Sequence, residues 1–229
     1  MKNKSIILLS GGLDSLVSLG IAKEEFNISL ALTFNYGQNS AIKEIQASEK
    51  IADYYKIDHK TIELPFLKEL THNAFVGGKT ELPTNNFGTK ESAKAVWVPN
   101  RNGLFLNIAA SYSDAHKFSH IIFGANKSEG KTFPDNTKEF VDGINESFKY
   151  STLCGVKVVA PLIDYDKIDI VKVALKQNIP LELVYSCYSG SDKNCGECES
   201  CNHLKKSLEA NKAYDYIKRL FQYENKIHR

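Results

Sequence analysis

No apolar run in this 229-residue sequence approaches the ~18 residues that a membrane span needs. Met1-Lys2-Asn3-Lys4 leads straight into a short apolar strand, leaving no room for the h-region of a signal peptide. An excess of one charge is missing too: 29 lysines and arginines face 27 aspartates and glutamates, a net charge of +2. Such a balance gives no electrostatic case for nucleic acid or for an acidic membrane as partner. Cysteine is scarce, and of the five present all but Cys154 lie between 187 and 201. These absences predict a cytoplasmic protein with no membrane partner and no direct nucleic-acid partner. What remains is ordinary for a globular chain, 42% apolar and 24% charged, and long enough for a packed core. The expected organisation is a single domain over 1–229, with a C-terminal extension from 185 to 229.

The most informative stretch is Ser5 to Ser18. Ser5-Ile6-Ile7-Leu8-Leu9 is apolar without alternation, as expected of a strand buried on both faces. Ser10-Gly11-Gly12 breaks it, and Asp14-Ser15 opens a segment with Leu16, Leu19 and Ile21 at helical spacing. A strand, a glycine turn and a helix start gather free backbone N–H groups at the positive end of a helix dipole, which makes an anion cradle. The glycines are expected to let the backbone approach a phosphate, and Ser10 and Ser15 to donate hydroxyls to it. Ser10-Gly11-Gly12-Leu13-Asp14-Ser15 resembles the SGGxDS loop of the ATP-pyrophosphatase (PP-loop) superfamily, whose members cleave ATP between the α and β phosphates.

Along the chain, strand and helix patterns alternate. This predicts an α/β fold, a doubly wound, mostly parallel sheet covered on both faces. Strands are expected at 28–34, 60–64, 120–124 and 156–160. Helices are expected at 40–55, with Ile42, Ile45, Ala52 and Tyr55 inward, and at 101–112, 137–150 and 166–177, the last with Ile168, Val171 and Leu175 inward. Ligands in such sheets bind beyond the carboxyl ends of the strands, where Phe34-Asn35-Tyr36-Gly37-Gln38 and Gly124-Ala125-Asn126 fall. Leu70 to Lys94 reads as a long loop of the kind that often serves as a lid. Its Gly77-Gly78-Lys79-Thr80 imitates a Walker A ending, but Asn73 replaces the first glycine and no strand precedes it. Arg101 stands in a helix first turn, where a cation is unfavourable unless an anion is near. Glu129 and Asp135 are the charged residues of the irregular 127–136 stretch, and Asp135 could equally serve as a helix cap.

Cys187, Cys195, Cys198 and Cys201 form C-x7-C-x2-C-x2-C. Four thiolates at this spacing suit one tetrahedral Zn²⁺, structural because no coordination position stays open. An iron–sulfur cluster or disulfides are the other readings of the same spacing. Cys154 stands apart as a small buried filler.

The loop at the start and the cysteine knot near the end together resemble the QueC family of queuosine and archaeosine biosynthesis, over nearly the whole chain. Thr33-Phe34-Asn35-Tyr36-Gly37-Gln38, Val98-Pro99-Asn100-Arg101-Asn102, Phe133-Pro134-Asp135-Asn136 and Ser186-Cys187-Tyr188-Ser189-Gly190 match further family motifs. Two departures stand out. Asn100 replaces the glycine of the VPGRN pattern, and the ETDFSGYPDCR stretch of many bacterial members reads KSEGKTFPDNT at 127–137.

The resemblance implies an adenine nucleotide alpha hydrolase-like fold with a zinc-binding extension. It also implies a ligase that converts 7-carboxy-7-deazaguanine, ammonia and Mg-ATP to the nitrile preQ0. AMP and pyrophosphate are the expected products, or ADP if the cleavage differs. Leu8, Leu9, Ser10, Gly11, Gly12, Leu13, Asp14, Ser15 and Leu16 would bind ATP together with Phe34, Tyr36 and Gly124. Asp14 and Arg101 are the catalytic candidates, and Tyr36, Arg101, Asn102, Glu129 and Asp135 the substrate contacts. Cys187, Cys195, Cys198 and Cys201 would hold zinc, one per chain. A homodimer is left open. So are a relative acting on another carboxylate, even a protein-linked one, a tRNA-thiolating PP-loop enzyme, and a nucleotide-sensing module without catalysis.

Overall fold

The computed structural model describes residues 4–71, 76 and 96–222. The Walker-like tetrad and nearly all of the 70–94 loop lie outside the described residues. The sheet is five-stranded, ordered β3-β2-β1-β4-β5, and every pairing is parallel. The strands are β1 Lys4–Leu8, β2 Asn27–Asn35, β3 Asp58–Glu63, β4 His120–Ile122 and β5 Lys157–Val159. β2 and β3 extend to one side of β1 while β4 and β5 extend to the other, so the order reverses between β1 and β4. A crevice opens at that reversal.

Helices follow the strands in turn: α1 Leu13–Ala22, α2 Ala41–Tyr55, α3 Phe66–Leu70, α4 Arg101–His116, α5 Lys127–Gly130, α6 Lys138–Ser151 and α7 Lys167–Lys176. The C-terminal extension adds α8 Glu199–Ala210 and α9 Tyr214–Leu220. Two apolar cores result, one on each sheet face. Ile7, Leu16, Ile51, Val171 and Leu204 belong to the core beneath α1, α2, α7 and α8; Ile6, Phe105, Leu106 and Phe148 belong to the core beneath α4 and α6. Successive strand residues point to opposite faces, so a strand with helices on both sides buries every position. β1 accordingly buries Ser5 through Leu8 without a break.

Two helix faces follow their spacing only in part: Ala52 and Val171 are buried and Tyr55 and Leu175 pack against the core as expected, but the leading isoleucine of each helix turns outward. In α2 the buried residues are Ala41, Ala47, Ser48, Ile51 and Ala52, and Ile42 is 71% exposed. In α7 they are Ile170, Val171 and Ala174, with Ile168 turned outward. In α2 the buried face is mostly alanine and serine, which lets the neighbouring element come close. Cys154 is half-buried, and its Sγ reaches the Phe118 carbonyl at 3.6 Å.

Candidate active site and metal centre

The glycine loop joins β1 to α1, as its sequence predicts, and Gly12 is the N-cap of that helix. The loop is laced by its own serines. Ser10 N donates to Ser15 Oγ at 3.2 Å, and Ser15 Oγ donates to the Gly12 carbonyl at 3.1 Å. The two glycines have different tasks. Gly11 has a φ of +76°, and a Cβ on it would lie 2.7 Å from Ala47 Cβ and 3.0 Å from the Glu44 carbonyl. It therefore serves a left-handed turn and close packing against α2, rather than leaving room for a phosphate. A Cβ on Gly12 would come no closer than 3.4 Å, to Ser10 Oγ, and Gly12 borders the cavity.

That cavity has a volume of about 310 Å³ and lies at the carboxyl ends of β1, β2 and β4. Leu8, Leu9, Ser10, Gly12, Leu13, Asp14, Ser15, Phe34, Tyr36, Arg101, Asn102, Gly124 and Glu129 all line it. Gly11 does not, and Leu16 is fully buried in the core beneath α1. One part of the cavity is apolar, walled by Leu8, Leu32, Phe34, Phe105 and Phe123, with the Phe34 and Phe105 rings stacked at 4.0 Å. The rest is charged and polar.

At the charged end Lys167 Nζ donates to Asp14 Oδ2 at 2.6 Å and contacts Glu129 Oε1 at 3.0 Å. Burial pushes the Asp14 carboxyl above its ordinary range, and Lys167 only partly offsets this. Glu129 moves the other way, because Lys167 outweighs its burial. Among the described residues, Asp14 Oδ1 is buried with no hydrogen-bond partner. Asn126 caps α5 by accepting from Glu129 N at 3.1 Å, and its Nδ2 is likewise buried and unpartnered.

Arg101 opens α4 and donates to the Tyr36 hydroxyl at 3.2 Å, its guanidinium 5.8 Å from that ring. Asn100, before it, adopts a left-handed conformation with φ 49°. Glycine and asparagine are the residues that tolerate this, so Asn100 fills a turn that glycine would also accept. Glu44, half-buried on α2, accepts from Ser40 Oγ at 2.5 Å and from Gln38 Nε2 at 2.9 Å, and desolvation raises its pKa. Asn102 Nδ2 donates to the Asp135 carbonyl at 3.3 Å. Asp135 is not a helix N-cap: α6 is capped by Thr137, which accepts from Phe140 N at 3.2 Å.

Sequence reasoning missed Lys167 and Glu44 as site residues, and placed Asn126 at a strand's carboxyl end without giving it a role. Lys167 carried a signal: it follows the last strand and falls in a helix first turn, where a cation asks for an anion as Arg101 does. It missed, too, the contribution of the C-terminal extension. Tyr185, Ser186, Tyr188, Glu199, Ser200 and His203 all line the cavity.

The four cysteines converge. Their Sγ atoms lie within 4.8 Å of one another, with Cys195 and Cys201 at 3.8 Å. The Cys195, Glu197 and Cys198 N–H groups each approach a cysteine sulfur at 3.4 Å, helped by Gly196 at φ 81°. Asn194 ties the knot to the domain, accepting from Ser186 N at 2.8 Å and donating to the Leu220 carbonyl at 3.1 Å. The cluster fits a metal site.

Comparison with known proteins shows the family. The family model described as queuosine biosynthesis protein QueC matches residues 4–212. This chain belongs to the QueC family. A 7-cyano-7-deazaguanine synthase of Carboxydothermus hydrogenoformans is 48% identical over 213 residues, covering 91% of this chain and 99% of that protein. The synthase of Methanosarcina barkeri is 45% identical over 208 residues, 86% of this chain and 90% of its own. That of Bdellovibrio bacteriovorus is 43% identical over 230 residues, 96% of this chain and 99% of its own. Among the described residues, no helix is long and apolar enough to cross a membrane.

Proposed function

We infer that this chain converts 7-carboxy-7-deazaguanine and ammonia to the nitrile 7-cyano-7-deazaguanine at the expense of ATP, with AMP and pyrophosphate released. The observation that carries the reading is the strand-end cavity, where a glycine loop and helix N-terminus adjoin an apolar slot and the Asp14–Lys167–Glu129 group. The relatives named 7-cyano-7-deazaguanine synthase support the choice of product.

A carboxylate is a poor electrophile because its leaving group would be oxide. Adenylation makes AMP the leaving group, ammonia then gives the amide, and a second adenylation on the amide oxygen permits loss of water to the nitrile. The protein's share is positioning, charge neutralisation and exclusion of water. Ser10, Gly12, Asp14 and Ser15 hold the phosphates, and the slot of Leu8, Phe34 and Phe105 takes the adenine. The buried, unpartnered Asp14 Oδ1 fits a Mg²⁺ ligand atom, and bound Mg²⁺ would neutralise phosphate charge. Lys167 holds Asp14 and Glu129 in place, and Arg101 with Tyr36, Asn102 and Asp135 serves the substrate.

The metal of the knot is a structural zinc. A tetrahedral ion with Zn–S bonds of about 2.3 Å holds its sulfurs roughly 3.8 Å apart, as Cys195 and Cys201 stand. A cluster would spread the thiolates over different irons, farther apart than the 4.8 Å limit of this group.

Product analysis tests the reading. ATP should be consumed only with 7-carboxy-7-deazaguanine present and should yield AMP and pyrophosphate. ADP and phosphate as products would overturn the proposed cleavage.

A further inference from the structure

Beside the main cavity lies a second chamber of about 60 Å³, walled by Trp97, Val98, Phe133 and Asp135. Arg101, Glu129 and Tyr188 line both, so the two spaces share a wall. The Trp97 and Phe133 rings lie within 10° of parallel, their centroids 6.0 Å apart, and offer flat apolar surface on one orientation. Asp135 is 7% exposed, and its Oδ1 accepts from Asn136 Nδ2 at 3.2 Å. Burial raises its pKa, with Arg101 and the Asn102 backbone pulling the other way.

The two acidic residues of the 127–136 stretch are thus placed differently. Glu129 is engaged by Lys167 at 3.0 Å, toward the glycine loop. Asp135 makes no ion pair among the described residues and faces the aromatic chamber. A buried carboxylate beside flat apolar walls calls for a flat ligand with N–H donors on its edge.

We propose that this chamber, together with the part of the main cavity it adjoins at Phe133 and Arg101, is the base-recognition subsite: the substrate's heterocycle lies against Trp97 and Phe133, and Asp135 accepts from its ring N–H and exocyclic amine. The inference rests on the proposed function and assigns a place to each end of that substrate. The carboxyl group points to the shared wall at Arg101, which brings it toward the nucleotide. Glu129 belongs to the phosphate end and takes no part in reading the base.

Trp97 is the single tryptophan of the chain, so intrinsic fluorescence reports on this chamber alone. Titration of the wild-type protein with 7-carboxy-7-deazaguanine, and with 7-deazaguanine lacking the carboxyl, should change Trp97 emission, whereas ATP alone should not. Trp97→Ala should raise the KM for 7-carboxy-7-deazaguanine about tenfold or more, as expected for a lost base–aromatic stack, and leave the KM for ATP unchanged. Trp97→Phe should restore most of it. Asp135→Asn should raise the same KM and weaken discrimination against an analogue without the exocyclic amine. Wild-type KM in Trp97→Ala, or silent emission at substrate concentrations that support turnover, would overturn the subsite and leave the reaction standing. Emission that responds to both heterocycles without any AMP formation would uphold the subsite and overturn the reaction.

Discussion

Lys167 donates to Asp14 at 2.6 Å across 153 positions of sequence, closing the glycine-loop cavity from the far end of the domain. The contact is set locally. Asp166 caps α7 by accepting from Ile168 N and Asp169 N, and Asp169 reaches back to the cap, so Lys167 falls at the first helical position. Burial disfavours its charge, but Asp14 and Glu129 outweigh that and hold it protonated above the ordinary lysine range. Lys167→Met leaves two partly buried carboxylates facing each other. It should cost roughly 3 kcal/mol of stability, the low end for a buried pair, because the Asp14 side chain keeps 25% exposure. Thermal melting checks the stability, and the rate of AMP formation should fall at least tenfold.

The two glycines should separate in mutagenesis. Gly11→Ala forces a Cβ into a left-handed residue and against Ala47, at a cost of roughly 2–4 kcal/mol. Gly12→Ala meets nothing nearer than 3.4 Å and should fold with a nearly unchanged melting temperature, yet bind ATP more weakly because it borders the cavity. Equal melting temperatures for the two variants would contradict the division of tasks.

The strand–glycine loop–helix unit and the cysteine knot were legible in the sequence because each is set by contiguous residues whose chemistry is local. The parallel sheet was legible too, from unbroken apolar strands such as Ile6 to Leu9. Lys167 and Glu44 were not, because their roles depend on which helix the fold brings to the strand ends. Nor was the purpose of Gly11, since Ala47 meets it only once α2 has packed. Asn100 looked like a departure and stands in a left-handed conformation that asparagine, like glycine, tolerates.

Acid dependence should trace in part to Glu129. Lys167 holds its folded pKa below the ordinary 4.5. A depressed carboxyl contributes stability that is fully present above the unfolded pKa and is lost as pH falls through the folded one. Glu129→Gln should therefore be less stable than wild type above about pH 5, with the gap closing in acid. Denaturant midpoints across that range measure it, and a gap that widens in acid would contradict the assignment.

Metal removal should reach the active site as well as the tail. Ser186, Tyr188, Glu199 and Ser200 border the cavity and are immediate neighbours of Cys187, Cys198 and Cys201. Structural zinc contributes roughly 10–16 kcal/mol of apparent binding in small modules. Cys198→Ser should lose the metal, raise hydrogen exchange from Tyr185 onward and weaken binding of ATP. Metal analysis of the wild type should give about one zinc per chain; stoichiometric iron with a visible absorption band would contradict it.

Conversion of a carboxylate to a nitrile at this cavity would separate an enzyme from a module that only binds nucleotide. The most direct measurement is mass analysis after incubation of the purified protein with Mg-ATP, isotopically labelled ammonium and 7-carboxy-7-deazaguanine. The expected product is 7-cyano-7-deazaguanine carrying the labelled nitrogen, with AMP formed alongside it. Unchanged 7-carboxy-7-deazaguanine under these conditions would contradict the account.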